Sequence, residues 1–183
     1  AVRLKPEDAE VHNNVAAVLF HLGRVSEALT HFEESMRLKP DFPNARNNLA
    51  AALVQLGAGS MAQGRWDEAI RHYERALQLN PDYVNAHNNL GIALSLQGKL
   101  NEAIEHYERV LQLKPDFAQV HYNLGNAFAR QGKPDEAIAH YARALELKPD
   151  YAEAHNNLLF SLSLDAIVDA ETLFAEHCRF GEQ

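Results

Sequence analysis

The 183-residue sequence predicts an all-α fold of stacked antiparallel helix hairpins, and three observations predict it. Prolines recur at Pro6, Pro40, Pro81, Pro115 and Pro149, with spacings of 34, 41, 34 and 34 residues, in the similar settings LKPED, LKPDF, LNPDY, LKPDF and LKPDY. Between them the apolar residues follow a helical period. Glycines and short polar residues punctuate each stretch at fixed offsets. A repeat of this length marks an array of like units, none of which can bury both of its faces alone, so neighbours must stack.

Numbering each repeat so that this proline is position 32 places position 1 at Ala9, Pro43, Val84, Ala118 and Ala152. Residues 1–8 then read as the end of a truncated preceding repeat. Full repeats follow at 9–42, 43–83, 84–117 and 118–151, and 152–183 reads as a partial repeat with a capping or linker helix. In the third full repeat Leu90, Ala93 and Leu94 mark one face of a first helix, and Ala103, Ile104, Tyr107, Leu111 and Leu113 mark a second. Gly23, Gly57, Gly98 and Gly132 share position 15, where a left-handed C-cap would end the first helix. Ser26, Asp67, Asn101 and Asp135 are suited to N-cap the second helix, with Gly64 as the preceding glycine in the second repeat. Asp116 with Gln119, and Asp150 with Glu153, read as capping boxes opening the next first helix.

The second repeat is seven residues too long, with the insertion near 57–63. Seven residues is close to two helical turns, so the first helix can continue in phase to Gln63, although Gly57 and Gly59 would each cost about 1 kcal/mol in a helix interior. The other reading is a turn-rich bulge at the hairpin tip. Elsewhere small residues set close helix contacts: Ala28, Ala69, Ala103 and Ala137 at position 20, and Gly91 and Gly125 at position 8. Phe32, Tyr73, Tyr107 and Tyr141, at position 24, are expected to fill the space between successive units, each buried ring contributing roughly 2 kcal/mol.

Composition narrows the function. The formal net charge is −8, which argues against nucleic acid as a partner, because phosphate binding needs clustered Lys and Arg. No run of eighteen apolar residues suggests a membrane span, and the first residues, AVRLKPEDAE, lack an apolar signal core, so a cytoplasmic location is expected. A single cysteine, Cys178, excludes an internal disulfide framework and a cysteine-rich zinc site. Eight of the ten histidines fall in repeated slots, His12, His87, His121 and His155 at position 4 and His31, His72, His106 and His140 at position 23. Ligands strung along an array do not converge on one ion, so these read as structural and no metal or cofactor is expected. Protonating all ten would move the formal charge from −8 to +2. Asp67 with Glu68 and Asp135 with Glu136 read as first-turn charges complementing the helix dipole. No catalytic set is apparent.

A small residue at 8, Ala at 20, an aromatic at 24, Ala at 27 (Ala76, Ala144) and Pro at 32 together resemble the tetratricopeptide repeat over roughly residues 9–162. The resemblance implies a tetratricopeptide solenoid, a right-handed superhelix with first helices on its concave side, and a protein-binding scaffold as its function. A narrower likeness lies within it. Every first helix carries Asn at position 6 (Asn14, Asn48, Asn89, Asn123 and Asn157), and four also carry Asn at position 5 (Asn13, Asn47, Asn88 and Asn156). This resembles the asparagine ladder of O-GlcNAc transferases, which holds extended polypeptide in the groove. The physical reason stands separately. Asn is a middling helix former, but its amide both donates and accepts, so it can pair with a peptide group of any sequence. Packed helices are about 10 Å apart, roughly three residues of extended chain. The alternative is that these amides bond from repeat to repeat.

After Leu162 the repeat pattern fails, and HNNLLFSLSLDAIVDAETLFAEHCRFGEQ resembles the stretch that joins repeats to the catalytic half in bacterial O-GlcNAc transferase-like and SPINDLY-like proteins. There Asp169 reads as an N-cap, Glu171 suits a first turn, and Ala170, Leu173, Phe174 and Cys178 form an apolar face. The resemblance implies a scaffold that recruits protein substrates for such an enzyme, with the catalytic half lying outside this sequence and no activity in this chain alone. Two other readings stand beside it. One is a self-associating structural module that pairs through exposed solenoid ends as a homo-oligomer. The other is a chaperone-type adaptor, which would need Lys and Arg where positions 5 and 6 carry Asn or Tyr122.

Overall fold

The computed structural model describes residues 8–164. Nine α-helices lie among the described residues: α1 (Ala9–His21), α2 (Val25–Leu38), α3 (Pro43–Ala62), α4 (Trp66–Leu79), α5 (Val84–Leu96), α6 (Leu100–Leu113), α7 (Ala118–Arg130), α8 (Pro134–Leu147) and α9 (Ala152–Leu164). The fold class is all-α. The readings placed on residues 1–7 and on the segment after Leu164, including Asp169, Ala170, Glu171, Leu173, Phe174 and Cys178, fall outside the described residues. The chain forms two compact units, one ending at Ala93 and the other beginning at Leu94, with the division inside α5.

In the first unit α1 pairs with α2 and α3 with α4, while α2 also packs on α3. One core runs through it, built from Ala16, Ala28, Phe32, Leu49, Ala50, Ala52, Leu53, Ala76 and Ala86. In the second unit α7 pairs with α8, and α6 and α9 pack on their outer sides. Its core includes a cluster of Ala137, Tyr141 and Leu158 and another of Ala144, Tyr151 and Ala154. All four position-24 rings are buried, as are all four alanines at position 20.

The ring faces a small residue on its own hairpin. A Cβ added to Gly57 would lie 2.4 Å from Tyr73 Cε1, and one added to Gly125 would lie 2.5 Å from Tyr141 Cε1. Both are closer than real Cβ contacts come. Tyr73 and Tyr141 thus pack on the first helix of their own hairpin, while Phe32 shares a cluster with Leu49 and Leu53, and Tyr141 one with Leu158, of the following first helix, as expected of rings between successive units.

This contact explains the longer repeat. Gly57 does not C-cap α3; it is buried in the helix interior, sixteen residues before Tyr73, as Gly125 is sixteen before Tyr141. The helix continues two further turns and closes at Gly64, whose φ of 71° is the left-handed conformation that glycine tolerates. The extended-helix reading holds, and the turn-rich bulge is excluded. The extra length is not confined to a tip, however, because α4 packs against the far part of α3. Residues 43–49 are thereby displaced by two turns relative to the α3–α4 turn.

The expected caps of the second helices are also displaced. The N-caps are Arg24, Arg65, Lys99 and Lys133, none with a side-chain cap bond, so Ser26, Asp67, Asn101 and Asp135 fall inside the first turn. The physical reason is the preceding turn. Arg24 N donates to Leu19 O at 2.9 Å and Lys133 N to Phe128 O at 3.0 Å, the wide bond that closes a helix over a left-handed glycine. The residue after the glycine thus ends one helix and begins the next, leaving no room for a separate polar cap. Asp67, Glu68, Asp135 and Glu136 remain first-turn charges.

The capping boxes fail for a related reason. Phe117 occupies the N-cap of α7, and Tyr151 immediately precedes α9, so Asp116 and Asp150 stand one residue too early. Asp116 instead accepts from Arg143 at 3.2 Å. Only at α1 does the aspartate directly precede the helix, and there Asp8 caps the N–H groups of Glu10 and Val11. In the repeated KPDF and KPDY motifs the lysine lies over the ring three residues on: Lys39 over Phe42 at 4.9 Å, Lys114 over Phe117 at 4.6 Å and Lys148 over Tyr151 at 4.8 Å. Where LNPDY replaces the lysine, Asn80 accepts from Asp82 N and donates to Asn47 instead.

The two glycines of α3 should separate in a thermal unfolding measurement. Gly57→Ala must displace the Tyr73 ring and should cost about 1–3 kcal/mol. Gly59 is exposed and its added Cβ meets nothing, so Gly59→Ala should be neutral or stabilise by up to about 1 kcal/mol.

Candidate peptide-binding site

The recurring asparagines fall on the first helices at residues that the aromatic lock does not use. In the first unit Asn13 is buried, Asn14 and Asn47 are exposed, and Asn48, Asn88 and Asn89 are half-buried. Asn48 Nδ2 donates to Asn13 Oδ1 at 3.0 Å, tying α3 to α1. Within single helices Asn13 reaches Asn14 at 3.5 Å and Asn88 reaches Asn89 at 3.4 Å, both long contacts. Asn47 Oδ1 accepts from Asn80 Nδ2 at 3.2 Å.

The position-6 asparagines differ in their distance from the turn. Asn14 and Asn123 each lie nine residues before a turn glycine, Gly23 and Gly132, whereas Asn48 lies sixteen before Gly64. The difference is two turns, roughly 11 Å along α3. Asn48 nevertheless bonds to position 5 of the preceding first helix, Asn13, as Asn157 in the second unit bonds to position 5, Tyr122.

In the second unit position 5 of α7 is Tyr122, and a denser network results. Asn157 Nδ2 on α9 donates to Asn126 Oδ1 at 2.8 Å and to the Tyr122 hydroxyl at 3.4 Å. Tyr141 OH donates to the same Asn126 oxygen at 2.8 Å, and Tyr151 OH donates to Gln119 Oε1 at 2.8 Å. Gln119 Nε2 in turn donates to Asn123 Oδ1 at 3.3 Å. The Tyr122 ring lies 5.0 Å from that of Tyr151 and 6.0 Å from that of Tyr141. Burial pushes the Tyr141 and Tyr151 phenols up to about 12, so both stay neutral donors. Asn156 is exposed and Asn123 half-buried. The sequence reading missed Asn126 and Gln119. The signal was present in Tyr122, the one position-5 residue that is not Asn.

Asn48 and Asn157 thus commit their N–H donors to the preceding first helix while keeping a carbonyl oxygen as acceptor. Such a surface can accept hydrogen bonds from peptide N–H groups. The histidines meet in pairs that the sequence reading did not draw: His12 Nδ1 lies 3.0 Å from His31 Nδ1, and His121 Nδ1 lies 3.2 Å from His140 Nδ1. Among the described residues no three His, Cys, Asp or Glu side chains gather as metal ligands would. No described helix is long and apolar enough to cross a membrane.

Comparison with known proteins follows this geometry. Family profiles described as "Tetratricopeptide repeat" match residues 48–116 and 97–152, and one described as "TPR repeat" matches 16–57. The chain is built of tetratricopeptide repeats. No curated protein sequence matches it. Among solved structures, the tetratricopeptide hairpins resemble MamA from Desulfovibrio magneticus RS-1, at 22% identity and a TM-score of 0.68, over 95% of this chain and 93% of that one. YrrB, described as a TPR protein with an unusual peptide-binding site, matches at 20% identity and a TM-score of 0.58, covering 83% of this chain and 92% of that one. An O-GlcNAc transferase from Thermobaculum terrenum matches at 29% identity and a TM-score of 0.66, over 73% of this chain but only 26% of that one.

Asparagines of the same repeat slot should differ in their contribution to stability. Asn157→Ala removes a donor from Asn126 and Tyr122 and should cost about 1 kcal/mol in denaturant unfolding, whereas exposed Asn14→Ala should change stability by less than about 0.5 kcal/mol.

Proposed function

We propose that this chain is a protein–protein interaction scaffold that holds extended polypeptide against the amide-bearing faces of its first helices. One observation carries the reading: amides recur at positions 5 and 6 of successive first helices, and the position-6 amides Asn48 and Asn157 bond to the preceding first helix through their N–H groups. In the first unit the face carries Asn14, Asn48 and Asn89, flanked by Asn13, Asn47 and Asn88, and in the second unit it carries Asn123 and Asn157, flanked by Asn156. An extended peptide presents N–H groups regardless of its sequence, so acceptors fixed on rigid helices would hold backbone and tolerate varied side chains. Preorganisation by the inter-helix bonds lowers the ordering cost of binding. The peptide-binding site named for YrrB is in keeping with this use of the fold.

We further infer that the scaffold recruits protein substrates for an O-GlcNAc transferase-like enzyme in the cytoplasm. The asparagine pattern and the 29% identity to the Thermobaculum terrenum enzyme support this reading. Catalysis on this proposal belongs to a domain outside this chain.

Binding to an immobilised library of randomised twelve-residue peptides tests the proposal. Asn89→Ala combined with Asn123→Ala should reduce peptide capture at least tenfold while leaving the unfolding temperature close to that of the unaltered chain. Ala103→Leu, which overpacks a fully buried position, should instead cost about 1–3 kcal/mol in stability. Unaltered capture by the double variant, or a loss of stability matching that of Ala103→Leu, would contradict a binding role for the amides.

A further inference from the structure

We propose that the α7–α8 hairpin carries a proton-sensitive latch: a hydrogen bond between the His121 and His140 imidazoles that holds the two helices together until both rings are protonated. The two Nδ1 atoms lie 3.2 Å apart, with ring centroids 5.4 Å apart and planes tilted by 32°. His121 Nε2 lies 3.3 Å from the carbonyl oxygen of Pro115. A carbonyl only accepts, so Nε2 carries the proton and the neutral ring presents an Nδ1 lone pair. His140 must then donate Nδ1–H to it.

This arrangement fixes what successive protons do. The first enters at His140 Nε2 and leaves an imidazolium donating to an imidazole, which preserves the bond. The second can enter only at His121 Nδ1, and two N–H groups then face each other at that distance. The surroundings make the loss consequential. Burial lowers the affinity of both rings for protons, and His121 lowers that of His140 further. The His140 ring stacks on Phe128 of α7, at 5.4 Å and 9° between planes, and Lys133 Nζ lies 5.6 Å from the other partner's ring centroid. Arg143 of α8 acts on His121 in the same direction as burial, while Asp116 of the preceding loop and Glu146 of α8 oppose it. Both carboxylates are bonded to Arg143, at 3.2 and 2.8 Å, which reduces what they can offer the ring.

The pairing is a repeated feature. His12 and His31 of the α1–α2 hairpin adopt the same geometry, with Nδ1 atoms 3.0 Å apart and planes tilted by 33°. The α3–α4 hairpin lacks it: α3 carries no histidine, and Leu53 stands nineteen residues before His72, where the other hairpins have His. His72 there lies 3.7 Å from Glu68. The sign of the effect follows. A group that binds protons less well folded than unfolded favours folding above its unfolded pKa, near 6.5, and that contribution fades as pH falls through 6.5 towards the lower folded value.

Imidazole nitrogen NMR and amide hydrogen exchange on the chain, from pH 7.5 to 5, test the latch. At pH 7.5 His121 should show the Nε2–H tautomer and His140 the Nδ1–H tautomer, and the pair should titrate in two separated steps. Amide protection in α8, corrected for intrinsic exchange, should fall about tenfold for each unit by which the second step lies below 6.5, while α4 changes little. His140→Phe, which keeps the stack on Phe128 without a titrating ring, should abolish most of that fall. Matching Nε2–H tautomers with a single titration step for the pair would overturn the proposal, as would an equal fall in α4. If His140→Phe does not fold, the tautomers and titration of the unaltered chain decide the matter alone.

Discussion

An aromatic ring set against a residue without bulk is the contact on which the rest of the chain depends. Tyr73 over Gly57 and Tyr141 over Gly125 fix where one helix of a hairpin stands against the other, because a single added carbon would collide with the ring. Helices of similar composition could otherwise slide by a turn and still bury apolar surface, since sliding by about four residues keeps the same stripe facing inward. A large ring seated on one glycine removes that freedom.

The same contact governs the irregular hairpin. Because Tyr73 requires its small partner sixteen residues upstream, the seven additional residues of the second repeat lengthen the near end of α3 and carry Asn47 and Asn48 away from the turn. Asn48 still bonds to Asn13, so the first two hairpins keep their junction.

The hairpin count, the buried alanines and the position-24 rings were legible in the sequence because each depends on residue size at a fixed period. The caps were not. Ser26 and Asp135 have the right chemistry, but a left-handed glycine closes the preceding helix so tightly that Arg24 and Lys133 must serve at once as the end of one helix and the start of the next. Gly57 misled for the opposite reason: its place in the count suggested a turn, while its role was to make room for a ring. Among the site residues, the amides were visible as a pattern, but their partners were not. Asn126 and Gln119 matter through contacts with Asn157 and Tyr151, more than thirty residues away, which no local spacing reveals. The histidine pairs sit nineteen residues apart, a separation that only the antiparallel hairpin turns into contact.

Recognition of backbone in preference to side chains is the most exposed consequence of a wall made of amides. Its most direct measurement takes one peptide selected from the randomised library and compares its affinity with two altered forms: one with alternate backbone nitrogens methylated, the other with its side chains scrambled. Loss of binding on methylation, with affinity retained within a few-fold on scrambling, is the result expected of acceptors that meet peptide N–H groups. Retained binding on methylation, with loss on scrambling, would show that side chains are being read and that the asparagines serve only to join one helix to the next.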